Sequence, residues 1–194
     1  MTDPFSLERY LVRRKVFTLV RSAFHVYDAD MQEVLLYAQQ TAFRLKEEFF
    51  VYRDESKSEA LLRIKSRQIL DLAATYDIAD ARSNEPLGAA RRKALKSILR
   101  DEWEILDTSD QVVGTAREDS TALALVRRVV SNLVPQRYDL ATTDGRPLGF
   151  FQQRFNPFVF QTELNFAEDE DGLLDRRLGL GLAVCMMAIE GRQK

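Results

Sequence analysis

Residues 178–189 read LGLGLAVCMMAI, twelve residues without a charge between Arg176-Arg177 and Glu190. A helix that spans a bilayer needs roughly 20 apolar residues, and a run of about 10–14 is the length of a core helix. The sequence in front of it decides what buries it. Residues 1 to 170 read largely as short antiparallel strands, so one uniformly apolar helix must be covered by a sheet.

Five copies of one unit carry that reading: an alternating segment, a polar turn with Asp, Asn, Gly or Ser, and a second alternating segment. They are FHVYDADMQEVLLYAQ (24–39), FFVYRDESKSEALLRIKS (49–66), YDIADARSNEPLGAARRK (76–93), WEILDTSDQVVGTARED (103–119) and YDLATTDGRPLGFFQQR (138–154). Alternation gives a sheet one buried and one wet face, and the turn residues supply hairpin conformations. Three return strands open alike, with Pro86-Leu87-Gly88, Val112-Val113-Gly114 and Pro147-Leu148-Gly149. Glycine there predicts a bulge or a close backbone approach.

The first four units follow one another at about 25 to 27 residues, and an insertion delays the fifth. Within it, Ser120 to Asn132 sets Leu123, Val126 and Val130 at near-helical spacing, with Val134 and Pro135 beyond. This predicts a short surface helix with Arg127 and Arg128 exposed. Phe158 to Phe166 reads as a last strand, and the acidic run Glu168 to Asp171 leads into the terminal helix as a solvated loop whose charge suits the helix dipole.

With one or two strands near Tyr10 to Val20, the total is about twelve, and a sheet that large curls or closes. The expected fold is mainly β: a closed antiparallel β-barrel of about twelve strands around a central hydrophobic C-terminal helix, one domain over 1–194. Gly179 and Gly181 each cost a free helix about 1 kcal/mol relative to Ala. Inside a barrel they let the wall approach.

The units carrying Tyr76-Asp77-Ile78, Trp103-Glu104-Ile105-Leu106-Asp107 and Tyr138-Asp139-Leu140, followed by Leu174-Asp175-Arg176-Arg177 and the apolar tail, resemble the LURP-one-related proteins. These group with the tubby C-terminal domains and the phospholipid scramblases. The resemblance implies a twelve-stranded barrel wrapped around its C-terminal helix. It implies little about activity, because fold does not fix function; such relatives are mostly uncharacterised or assigned to membrane-lipid binding.

The 28 basic and 30 acidic residues leave a net charge of −2, which does not point to nucleic acid. A single cysteine excludes an internal disulfide framework and a multi-cysteine metal site. The opening MTDPFSLERYLVRRKVF lacks the basic-then-apolar order of a signal peptide. The expected location is cytoplasmic, at most peripheral to a membrane, with no transmembrane span.

Catalysis has no support: there is no Gly-rich phosphate loop, no Ser-centred elbow and no distinctive carboxylate pair. No enzyme activity, cofactor or metal is expected. His25 and Cys185 are the single histidine and cysteine. Cys185 falls inside the apolar helix, and His25, between Phe24 and Val26, is expected on the solvent face. Glu168-Asp169-Glu170-Asp171-Gly172 fails the EF-hand pattern, since Gly172 at loop position six puts Ala167 at one and Leu178 at twelve.

Basic groupings remain. Arg91, Arg92, Lys93, Lys96 and Arg100 place five cations within ten residues, and Arg13-Arg14-Lys15 forms a second group. Tubby domains bind phosphoinositide headgroups through exposed Lys and Arg, so the resemblance makes residues 91 to 100 a candidate anionic-lipid site, although no tubby motif matches residue by residue. Asp101, Glu102 and Glu104 follow at once and dilute the field. The partners to weigh are anionic phospholipids and, as the alternative, a protein bound by a soluble scaffold domain.

Overall fold

The computed structural model describes residues 3–18, 21–41, 48–67, 74–93, 102–119, 135–154 and 159–190. Twelve strands follow one another: β1 (Arg9–Thr18), β2 (Arg21–Asp28), β3 (Val34–Thr41), β4 (Glu48–Tyr52), β5 (Ala60–Ser66), β6 (Thr75–Asp80), β7 (Pro86–Arg92), β8 (Glu102–Leu106), β9 (Val112–Glu118), β10 (Arg137–Thr142), β11 (Pro147–Arg154) and β12 (Phe160–Asn165). One helix, α1 (Arg176–Glu190), ends the described chain. Each strand pairs antiparallel with its sequence neighbours, and β1 pairs with both β2 and β12, so the barrel closes and leaves no edge. The helix predicted over 120–132 lies outside the described residues.

The five hairpins share one construction. Each has a single register slip just past its turn, which leaves Leu35, Leu61, Leu87, Val113 and Leu148 as the extra residue of a bulge. The first four recur every 26 residues. Each turn also holds one residue at positive φ: Met31, Lys57, Asn84, Asp110 or Gly145. An Asp opens four of the turns and accepts backbone N–H bonds within them, as Asp28 does from Gln32 and Glu33 and Asp107 from Ser109 and Gln111. Thr142 does the same for the fifth, accepting from the Arg146 N–H. The repeat in sequence is therefore a repeat in turn chemistry.

Just past two of the bulges the glycines are obligatory. A β-carbon on Gly88 (φ 139°) would lie 2.3 Å from the Leu106 carbonyl oxygen, and one on Gly149 (φ 125°) 1.9 Å from that of Asn165. Only glycine admits that approach.

Helix α1 fills the barrel, packing chiefly against β5, β6 and β7. Leu178, Leu180, Leu182, Val184, Cys185, Met186 and Met187 join the inward strand residues Tyr10, Phe24, Ile64, Ile78, Trp103 and Phe151 in one core. Gly179 and Gly181 carry the expected close approach, the first against the Phe166 ring and the second against Ile78. Asp175 caps the helix, its carboxylate accepting the Arg177 N–H at 2.8 Å.

The acidic run differs from expectation at one position. The Asp169 carboxylate is fully buried rather than solvated, accepting from the N–H groups of Leu173 and Leu174 and from the Arg176 guanidinium at 2.8 Å. The turn it closes presses Phe166 and Leu174 onto Gly179, so the chain needs an acceptor inside.

Candidate functional site

Helix α1 occupies the interior of the barrel, its side chains packed into the strand core. The slot beside its C-terminal half, lined by Gln136, Tyr138, Phe151, Thr162, Met186 and Met187, has a volume of about 20 Å³, room for about one water. Cys185 is wholly buried in the core, where burial pushes its thiol well above the ordinary range. Phe24 and Val26 point into that core, so His25 between them faces the other way, against Glu55 and Tyr37, and does not pair with Cys185. Among the described residues no three His, Cys, Asp or Glu side chains stand close enough to hold a metal.

His25 lies on the outer face, as its alternation with Phe24 and Val26 requires, but it is 1% exposed rather than solvated. Tyr37 stands edge-on to the imidazole at 5.1 Å and Tyr27 flanks it at 6.3 Å, so two aromatic neighbours on the same face seal it. Its Nε2 bonds the Glu55 carboxylate at 2.6 Å, pinning the β4–β5 turn to β2. That hydrogen bond holds the Glu55 carboxyl below the usual carboxylate range.

The basic run at 91 to 100 is divided by the pleat. Arg91 and Lys93 face outward, while Arg92 shares the inward face with Ala90 and is 8% exposed opposite Trp103. Arg91 pairs with Glu104 at 2.6 Å, and Lys93 with Glu102 at 2.8 Å and Glu104 at 3.2 Å. Burial favours the protonated form of Glu102, but Lys93 and Arg117 outweigh it and hold the carboxyl below its ordinary range. Two carboxylates thus offset the two outward cations. Lys96 and Arg100 lie outside the described residues. Arg13-Arg14-Lys15 divides in the same way, and burial lowers the pKa of the inward Arg14.

A different strand assembles cations along one wall. On β5, Leu62 and Ile64 point into the core, so Arg63 and Lys65 stand outward about 7 Å apart, with Arg67 just beyond the strand. Across from them β6 and β7 offer small groups, Ala79, Pro86 and Gly88, while Asp107 and Thr108 of the β8–β9 turn rise on the far side. Tall walls and a low floor leave a groove of about 310 Å³, completed by Asp77 and Asn84. That falls at the lower end of the roughly 300–1,000 Å³ usual for small-molecule sites.

The three cations of the groove are not equally engaged. Arg67 is fully used, its guanidinium bridging Asp77 at 2.7 Å and Asp110 at 2.7 and 3.0 Å, which raises its pKa further. Arg63 has one loose pair, Glu48 at 3.7 Å. Lys65 faces Asp77 across the ladder and makes no ion pair among the described residues. Asp107, which lines the groove, spends Oδ1 on the Ser109 and Gln111 N–H groups, and its Oδ2 has no hydrogen-bond partner among the described residues. The signal was present in LLRIKSR (61–67), whose cations recur at period two, whereas density of charge drew the reading to 91–100, where period two splits it.

The five turns and the segment from Phe166 into α1 lie at one end of the barrel, tied together by Arg177 to Asp80 and Glu85 and by Arg146 to Asp171. Residues 28–33, 53–59, 80–85, 107–111, 142–146 and 166–177 carry sixteen acidic and six basic side chains, a net charge of −10. The other described residues carry +3, and the residues outside the described set +5, within the total of −2. No helix among the described residues is long and apolar enough to cross a membrane.

No curated protein matches the chain, and no solved structure does. A family model described as LURP-one-related matches residues 34–134, from the start of β3 to the segment that follows β9. That match spans just over half of the sequence, and the chain belongs to the LURP-one-related family.

Proposed function

We propose that this LURP-one-related domain is a non-catalytic binding module that attaches peripherally to anionic phospholipid surfaces through outward Lys and Arg side chains. The observation that carries the reading is the separation of charge: an acidic turn end at −10 against +3 on the other described residues. A body with that polarity is oriented by a negative surface, which attracts basic side chains by about 1 kcal/mol each within a Debye length and repels the turn end. The helix inside the barrel supports it too, since its side chains fill interior space that a ligand would otherwise occupy.

Co-sedimentation with phosphatidylcholine vesicles, with and without phosphatidylserine, at low and high salt tests the proposal. The expected result is binding to the anionic vesicles alone, weakened by salt. Sedimentation with neither vesicle, or equally with both, overturns it and leaves the protein-binding scaffold as the reading to pursue.

A further inference from the structure

We infer that the groove between β5 and the β8–β9 turn is a binding site for a phosphorylated, hydroxyl-bearing ligand, with Lys65 and Arg63 holding the phosphate and Asp107, Thr108 and Asn84 the hydroxyls. The inference rests on the membrane reading only for the ligand's source: the same chemistry is displayed by a phospholipid headgroup with free hydroxyls and by a soluble polyol phosphate.

The argument is one of charge placement. Lys65 is a cation without an ion-pair partner among the described residues, and Arg63 has only a loose one, so an arriving phosphate meets two available donors on adjacent outward positions of β5. Hydrogen bonds between charged groups are short and roughly twice as strong as neutral ones. The opposite wall rejects a bare polyanion, because Asp107 and Asp77 present carboxylates there. It suits hydroxyl groups: Asp107 Oδ2 is an acceptor, and Thr108 and Asn84 each donate and accept. A wholly cationic ligand fails at the other wall, where Arg63, Lys65 and Arg67 converge.

The groove is also firmly built. Arg67, clamped by Asp77 and Asp110, links β5 to the turn that forms the far wall. Gly88 lets β7 lie close against β8, because no β-carbon fits beside the Leu106 carbonyl. Asn84 holds its turn at φ 60°. These features hold both walls in position before a ligand arrives, which limits the ordering cost of binding.

The test uses the intact chain, titrated calorimetrically with glycerol 3-phosphate and with inorganic phosphate, and sedimented with phosphatidylcholine vesicles with or without phosphatidylglycerol. Lys65→Ala and Arg63→Ala are compared with Arg137→Ala, a cation outside the groove, after thermal melts confirm folding. Loss of one charged hydrogen bond should cost about tenfold or more in affinity.

The expected result is saturable binding of glycerol 3-phosphate, tighter than inorganic phosphate, and reduced about tenfold by Lys65→Ala but not by Arg137→Ala. Binding of the soluble ligand without the vesicles upholds the groove and removes the membrane. Vesicle binding that depends on Lys65, without soluble binding, upholds it with a lipid source. Vesicle binding equal in Lys65→Ala and the parent overturns the groove and leaves the membrane reading standing. Equal affinity for inorganic phosphate overturns the hydroxyl half, and no binding in any arm overturns both.

Discussion

Replacing Gly181 with alanine distinguishes a helix enclosed by the barrel from one lying free. In an exposed helix the change gains about 1 kcal/mol, because glycine loses more backbone entropy on folding. Here the new β-carbon would lie 2.9 Å from both Cδ1 and Cγ2 of Ile78, and 3.3 Å from Cγ1. Ile78 is 1% exposed in the middle of β6, and its Cγ2 sits on a branched carbon with nowhere to turn. Forcing a methyl into a filled core costs about 1–3 kcal/mol. Less the helix gain, Gly181→Ala should destabilise by about 1 kcal/mol. In a chain of this size that lowers Tm by roughly 2–4 °C.

The sign should reverse when the obstacle is removed. Ile78→Ala alone costs about 2–5 kcal/mol through the cavity it opens. In that background the same Gly181→Ala fills vacated space and should raise stability by about 1 kcal/mol, a coupling that a double-mutant cycle reads directly. Thermal melts of the parent, both single variants and the double variant provide the four values. A rise in Tm for Gly181→Ala in the parent, with additive behaviour in the cycle, would refute the packing of α1 against β6.

Asp169→Ala should cost about 3 kcal/mol, because it strands the half-buried Arg176 guanidinium and two backbone N–H groups; a urea midpoint within error of the parent would contradict the buried role of that carboxylate. The carboxyls of Glu102, Glu163 and Asp175 feel burial, which raises them, but pairing with Lys93, Arg154 and Arg177 outweighs it and leaves each below its ordinary value. Their stabilisation is therefore complete above the unfolded carboxylate range, about 4, and lost as pH falls through the lower folded values; urea midpoints should be flat near neutrality and drop below about pH 4, and a rise on acidification would count against the pairing. Cys185, buried with its thiol pushed upward, should resist iodoacetamide in the native chain and react only on unfolding; rapid native labelling would place it at the surface.

Much of the fold was legible because its determinants are local. Five turns are built from the same Asp or Thr anchor, one positive-φ residue and one bulge, and the first four print a 26-residue spacing that alternation and turn residues reveal. The apolar run at 178–189 gave the helix to within two residues at its start and one at its end. What stayed hidden depends on neighbours distant in sequence. Alternation set the outward face of His25, but its sealing by Tyr37, a residue of the next strand, is not written beside it. Asp169 looks like its exposed neighbours until the Phe166–Leu174 turn is closed around it.

The candidate site was only partly visible, for a similar reason. Cation density at 91–100 is a property of composition, whereas availability depends on which carboxylates stand across the ladder. Glu102 and Glu104 on β8 pair with Arg91 and Lys93, while the carboxylates across from Lys65, Asp77 and Glu48, pair instead with Arg67 and Arg63, and Lys65 makes no ion pair among the described residues. The groove needs small residues on β6 and β7 and a raised turn after β8, brought together only by the barrel.

Trp103, the single tryptophan, is 0% exposed inside the barrel and so reports whether the core stays closed while the outer wall binds. Its emission maximum and acrylamide quenching should be measured for the free chain and for the chain bound to phosphatidylglycerol-containing vesicles. A plugged barrel that binds through its outer surface predicts the same emission and the same weak quenching in both. A red shift with strong quenching on binding would mean that the helix leaves the barrel, and would contradict the account.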